Sequence, residues 1–381
     1  MSISKKISSC LLCTALAISL AACNNNLVGD DISYAAVIDG AKIPAGVFIS
    51  KQMDAYYEAM YYVDPAEAAE TTTASETTTA STDAAETTVT TAFTDKVIEG
   101  KAVRDWINDK ATDGIRKYAA VESKFDELGL TFMDNEKEKV TIYMDSMWEA
   151  YGKYYEELGV SENSQILISL NSQKESLLFK HYYGEGGEKE IPESDVKAYL
   201  TDNNARINYI KMELKDGEGN LLKSEGKAEI MEMAKDYVER AKNGEDFNVL
   251  LNEYTEYYEG LQNAAAGTTE AADAEEHNHD NTTVISKDGS TPSEAVVSKV
   301  FDGSFNVGDV AIVEEDEVYY VVTKLDLFAD EEYYANNELS ARYSLKGEEF
   351  DAMVDSWVEA QTFEKNEAAY KKYKIEKFME E

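Results

Sequence analysis

Side chains able to do chemistry are few in this sequence, and their spacing limits what they can do. His277-Asn278-His279-Asp280 follows Glu275 and Glu276. Two imidazoles at i, i+2 among carboxylates can hold Zn²⁺ loosely. The tract around them is acidic and of low complexity, where such spacing more often reflects composition than a built site, so no metal and no cofactor is expected. Cys10-Leu11-Leu12-Cys13 has CxxC spacing, which in a cytosolic protein would indicate thiol redox chemistry or metal binding. No Ser/His/Asp or Cys/His set can be assembled for a nucleophile, and no glycine-rich loop is placed to cradle a phosphate. Tyrosine is abundant, with 25 residues, many paired: Tyr56-Tyr57, Tyr61-Tyr62, Tyr154-Tyr155, Tyr182-Tyr183 and Tyr257-Tyr258. Adjacent residues on a helix diverge by about 100°, so one ring of each pair should be part-exposed. That pattern fits a core ring beside a boundary ring. It also fits an aromatic, polar-tipped surface for greasy extended chains.

The N-terminus decides which of these groups the mature chain keeps. Lys5 and Lys6 form a basic region, Leu11 to Leu20 an apolar one, and Leu20-Ala21-Ala22-Cys23 places small residues before a cysteine. This resembles the lipobox of bacterial lipoproteins, which implies cleavage before Cys23 and acylation of that residue. At roughly 0.8 kcal/mol per buried CH₂, two or three acyl chains hold a soluble domain at a bilayer. The alternatives are an ordinary secretory signal with a chance cysteine, or a short transmembrane anchor. The apolar stretch is shorter than the roughly 20 residues a span needs. On the lipoprotein reading the CxxC pair is discarded, and Cys23 is the only cysteine left, its sulfur a thioether. The expected address is the extracytoplasmic face of a cell membrane, of the Gram-positive type.

Composition then excludes partners. Formal net charge is −39 over 381 residues, and loss of Lys5 and Lys6 with the signal makes it −41. Such a polyanion repels nucleic acid and anionic lipid alike, leaving acyl chains rather than charge as the membrane contact. No D-x-D-x-D-G loop marks a defined Ca²⁺ site.

The positioning elements follow from periodicity. Residues 24–33 form a polar tether, and Tyr34 to Ile43 a hairpin turning at Asp39-Gly40. After Pro44, Phe48, Ile49, Met53, Tyr56, Tyr57 and Met60 make a helical stripe. Residues 65–94 are a Thr/Ala/Ser/Glu tract unable to bury enough apolar surface to order itself. Ile98, Val103, Trp106, Ile107, Ile115 and Tyr118 form a second stripe; Val140, Tyr143, Met144, Met147, Trp148, Tyr151 and Tyr155 form a third. Ser161 to Asn163 caps a helix to about Tyr183, and 184–190 is a linker. Beyond it, Arg206 to Leu214 and Val318 to Leu325 are strand-like, Ala228 to Lys242 is helical, and 263–281 is a second disordered, acidic insertion. The tail, Phe350 to Tyr373, is amphipathic helix. Two or three strands with helices between them make a small α+β domain.

Ala36-Val37-Ile38-Asp39-Gly40-Ala41-Lys42-Ile43 before a helix resembles the start of PrsA/SurA foldases. Pro192 to Tyr199 leading to Tyr209-Ile210 is similar to the opening of a parvulin-type (PpiC) peptidyl-prolyl isomerase domain. So are Asn243-Gly244-Glu245-Asp246-Phe247-Asn248-Val249-Leu250 and the set Phe301, Gly308-Asp309-Val310, Tyr319 to Lys324. The resemblance implies a mainly helical α+β fold. Residues 34–189 would be a SurA-like helical chaperone domain completed by 329–381, with a parvulin-like domain inserted at 190–328. It also implies a prolyl pocket with a histidine in the first strand and another in the last. Those positions hold Tyr209 and Tyr320, and the Met/Phe pocket falls at Pro292 to Val296, where neither residue occurs. The other histidine of the mature chain, His181, falls at a helix end.

The expected function is a membrane-anchored extracytoplasmic chaperone or foldase for unfolded or newly exported polypeptides, with weak or no isomerase activity. An active isomerase is the alternative. A second alternative, a solute-binding lipoprotein of an ABC importer, requires strand–helix alternation in a two-lobed α/β fold.

Overall fold

The computed structural model describes residues 31–63, 93–133, 135–267 and 279–379. Cys10, Cys13, Cys23 and His277 lie outside them, as do the export signal, most of the tether, and all but Phe93 and Thr94 of the first low-complexity tract. The described residues form a mainly helical α+β fold in two compact units. One draws on Met1–Thr112, Gly152–Ser164 and Thr362–Glu381, the other on Asp113–Tyr151 and Gln165–Gln361. The segments 34–189 and 329–381, expected to make one domain, each contribute to both units.

The first unit begins with the expected hairpin, β1 (Tyr34–Ile38) and β2 (Ala41–Pro44). Asp39 and Gly40 turn it with φ of 48° and 83°, the doubly left-handed geometry that matches strand twist. α1 (Ala45–Tyr62) follows directly. Gly46 is required there, because a Cβ would collide with the Ser164 side chain. The buried face of α1 is Ala45, Phe48, Ile49, Gln52, Met53, Ala55 and Ala59. The expected stripe is therefore right in its first half only, and Tyr57 and Met60 are exposed. β3 (Val97–Ile98) and β4 (Lys101–Ala102) precede α2 (Val103–Glu127). Every residue of the second stripe is buried, and Ile98, Val103, Trp106 and Ile107 form a core with Ala55 and Ala59.

The tail is helical over 350–359 and 367–372, as expected, and between them is an unexpected strand, β9 (Phe363–Lys365), which pairs antiparallel with β1 to give the order β2-β1-β9. Thr362 donates its amide and hydroxyl to Asp39 Oδ1 at 2.8 and 3.0 Å. Asn366 caps α10 (Glu367–Lys372) with Oδ1, while its Nδ2 donates to the carbonyls of Asp31 and Tyr34.

In the second unit, α2 residues Val121 and Phe125 pack with Leu178, Phe179 and Tyr183 of α4 (Glu162–Tyr183). The same core takes Val196 and Leu200 of α5 (Glu193–Asn203) and Phe350 and Val354 of α9 (Glu331–Glu359). The third stripe forms a helix as expected, α3 (Glu136–Leu158); Met144 is buried, Val140, Met147, Trp148 and Tyr155 are half-buried, and Tyr143 and Tyr151 are exposed.

The rest of this unit is a four-stranded antiparallel sheet, ordered β6-β5-β8-β7. Its strands are β5 (Asn204–Glu213), β6 (Thr283–Ser286), β7 (Val310–Glu314) and β8 (Val318–Leu325). Alternation puts Ile210 and Met212 on one face, under α6 (Ser224–Lys242) and α7 (Phe247–Ala266). Ala205 and Ile207 are on the other, under α8 (Glu294–Val300). The segment 263–281 is not wholly an insertion without structure. α7 runs into it as far as Ala266, Gly267 ends the helix at φ 68°, and 279–281 are bonded to the sheet domain. All strand pairs among the described residues are antiparallel, so the alternation that a solute-binding fold requires is not found.

Candidate functional site

Strand register decides which side chains meet at the expected pocket. Tyr209 of β5 lies opposite Val322 of β8, and Tyr320 lies opposite Lys211. Tyr209 and Tyr320 are therefore diagonal neighbours on one face. Their ring centroids are 6.1 Å apart at 60°.

What surrounds the pair limits its chemistry. Tyr320 is 4% exposed, and its hydroxyl donates to the Pro292 carbonyl at 3.5 Å. Burial raises its pKa above the ordinary phenol value by disfavouring the phenolate, with Lys211 opposing. Tyr209 is half-buried. Next along the strand on the same face are Lys211 and Glu213, whose Nζ and Oε1 are 2.7 Å apart. That bond holds the Lys211 ammonium above its usual range. The set offers neutral phenols and a neutralised ion pair, with no imidazole or thiol. The segment expected to form the Met/Phe pocket is occupied by structure instead. Ser293 caps α8 by accepting from the Val296 amide at 3.2 Å, and Val296 is fully buried against the sheet.

A polar cluster that sequence reasoning did not find lies on the opposite face. Asn208 is buried among apolar neighbours, and its Nδ2 donates to Asn248 Oδ1 at 2.7 Å. Asn248 belongs to the Gly244 to Leu250 segment that opens α7. Asn208 Oδ1 has no hydrogen-bond partner among the described residues. Asn281 donates to the Tyr209 carbonyl at 3.0 Å, and the His279 amide donates to Asn252 Oδ1 at 3.0 Å. The available signal was Asn208 itself, a polar residue in register with Ile210 and Met212. His181 is exposed, its ring edge-on to Tyr182. Among the described residues no three His, Cys, Asp or Glu are grouped to hold a metal, and no helix is long and apolar enough to cross a membrane.

A second surface is in the first unit. The last two turns of α1 expose Tyr57, Met60, Tyr61 and Tyr62, with Tyr61 89% and Tyr62 61% accessible. Positions 57, 60 and 61 share one face by helical spacing. Tyr57 and Tyr154 bring their hydroxyls to 3.4 Å. Of the five tyrosine pairs, this Tyr61-Tyr62 pair departs from the rule of one inner and one outer ring, since both are exposed.

No protein-family model matches the sequence, and no curated protein does. Among solved structures the chain is similar to foldase protein PrsA from Streptococcus pneumoniae strain Canada MDR_19A, at 14% identity and a TM-score of 0.30, over 65% of this chain and 81% of that one. It is similar to PrsA from Bacillus subtilis at 16% identity and 0.24, over 66% and 83%. It is also similar to foldase protein PrsA from Lactococcus lactis at 11% identity and 0.32, over 69% and 86%.

Proposed function

We propose that this chain is a lipid-tethered holding chaperone on the extracytoplasmic face of a bacterial membrane, acting on unfolded or newly exported polypeptides, with weak or no prolyl isomerase activity. The observation that carries the reading is the exposed face of α1, where Tyr57, Met60 and Tyr61 stand together beside Tyr62. Apolar surface of that kind gains roughly 25 cal/mol per Å² when covered, which favours transient cover by an unfolded segment. Tyrosine gives a large contact with a polar tip, and methionine adapts to varied partners. A net charge of −39 keeps loaded complexes apart. Acylated Cys23 would hold the chain where exported polypeptides emerge.

The low isomerase activity follows from transition-state complementarity. Prolyl isomerisation needs a shaped pocket that favours the twisted amide over the planar one. Tyr320 is buried with its hydroxyl on Pro292, and Val296 belongs to the core, which supports a pocket closed to a prolyl ring. In this reading 190–328 is a parvulin-like domain whose isomerase site has degenerated, and 34–189 with 329–381 does the holding.

Three measurements test it. Stoichiometric amounts of the chain should suppress aggregation of a thermally unfolded model protein; no effect at that ratio counts against the reading. Proline-limited refolding should proceed at its uncatalysed rate. Acceleration that disappears in a Tyr209→Ala or Tyr320→Ala variant would restore an active isomerase. Cys23→Ser should move the chain from the membrane to the soluble fraction and abolish acyl labelling.

A further inference from the structure

Where β5 begins and β8 ends, about 13 Å along the strand from Tyr209, a cleft of about 380 Å³ opens in the second unit. This is near the lower end of the range for small-ligand sites, about 300–1,000 Å³, enough for one or two residues of a peptide. Phe301, Phe305, Leu325 and Leu327 form its apolar wall, and Phe305 and Leu327 are fixed by the core behind them.

Two cations line the same cleft, Lys287 and Lys324. Lys324 Nζ donates to the carbonyls of Val300 and Phe305 at 3.0 and 3.2 Å. An ammonium carries three N–H donors, so one is left; burial disfavours the charged form, with Asp309 opposing, and Nζ lies 5.9 Å from the Phe301 ring centroid. Neither Lys287 nor Lys324 has a carboxylate oxygen within 4.0 Å among the described residues, although Asp309 acts on Lys324 electrostatically. Asp302 and Asp326 on the rim each commit Oδ1 to nearby backbone, at Ser304 and Phe328. Asn204 and Asn306 also line the cleft. Each donates through Nδ2 to a carbonyl, of Leu200 and Ser304, leaving the amide oxygen to accept.

We propose that this cleft captures the carboxy-terminal end of a polypeptide. The terminal carboxylate would sit on Lys324 and Lys287, and an aromatic or branched aliphatic last side chain against Phe301 and Phe305. The amide oxygens of Asn204 and Asn306 would accept peptide N–H groups, which a fatty acid lacks. The rim carboxylates Asp202, Asp302 and Asp326 disfavour a second acid and favour a neutral or basic residue upstream. The site is independent of the tyrosine surface of α1, so either can fail without the other.

Fluorescence anisotropy on the mature chain tests this, using a labelled basic pentapeptide ending in phenylalanine, its carboxy-terminal amide, and a medium-chain fatty acid as competitor. The free acid should bind at least about tenfold more tightly than the amide, one charge-assisted contact's worth. Lys324→Met should remove that preference and Lys287→Ala should reduce it. Lys287 is exposed, so its variant is expected to fold even where Lys324→Met does not. Equal affinity for acid and amide, or binding of neither, overturns the proposal. Displacement by fatty acid as efficiently as by unlabelled peptide also overturns it, and assigns the cleft to apolar anions in general.

Discussion

Arg342 on α9 is 5% exposed, and its Nη1 donates to the carbonyls of Tyr183 and Ile191. Tyr183 ends α4, so one of those carbonyls has no intrahelical partner of its own. Arg342→Met would leave the Ile191 carbonyl without its donor in a buried setting, while the Tyr183 carbonyl keeps the Ile191 amide at 3.2 Å. We expect a loss of about 1–3 kcal/mol in urea unfolding, with partial recovery in Arg342→Lys, because both bonds leave one nitrogen and an ammonium can also donate to two carbonyls. Glu349 gives a pH signature. Hydrogen bonds from Lys189 and then Lys346 lower its carboxyl to about 2. The folded pKa lies below the unfolded one, so its contribution is present above about pH 4.5 and is lost as pH falls towards 2. The stability difference between the native chain and Glu349→Gln should vanish across that window; a difference that persists at pH 2 contradicts the assignment. At this scale, Tyr209 and Tyr320 were named from the family resemblance alone, and strand register puts them on one face. It missed Asn208 because a strand asparagine ordinarily signals the wet side, and the partner that satisfies it, Asn248, is on another element. Lys324 gave no signal, since its partners are carbonyls.

Among the elements, those set by local chemistry were legible and those set by distant pairing were not. Asp39-Gly40 specifies its hairpin within four residues, and Val318 to Leu325 declares itself by β-branched density. β9 has three residues and no alternation to betray it, and only β1, at the other end of the chain, makes it a strand. α1 and α3 show the converse: the apolar periodicity is present, but Tyr57, Met60, Tyr143 and Tyr151 stay exposed. The β1–β9 pairing is testable. The Asp39 amide donates to the Thr362 carbonyl at 3.2 Å. Truncation after Gln361 should accelerate hydrogen exchange at Asp39 by at least about tenfold, as an edge amide opens to solvent. Unchanged protection would show that β9 does not close this sheet.

For the molecule as a whole, composition limited the partners better than it revealed the site. The excess of 75 acidic over 36 basic residues makes nucleic acid an unexpected partner, yet it says nothing of where apolar side chains remain uncovered. The tyrosine pairs indicated such a surface, and the structure located it at the end of α1. Replacing Tyr61 by serine should change unfolding free energy by no more than about 0.5 kcal/mol, because its ring is 89% accessible. The most direct test of the holding role is site-specific photo-crosslinking. A benzophenone-bearing phenylalanine placed at Tyr61 should capture an unfolded client and not the same client when native, whereas the same group at the exposed Glu232 on α6 should capture neither. Equal capture at both positions, or none at Tyr61 while aggregation is still suppressed, would contradict the account.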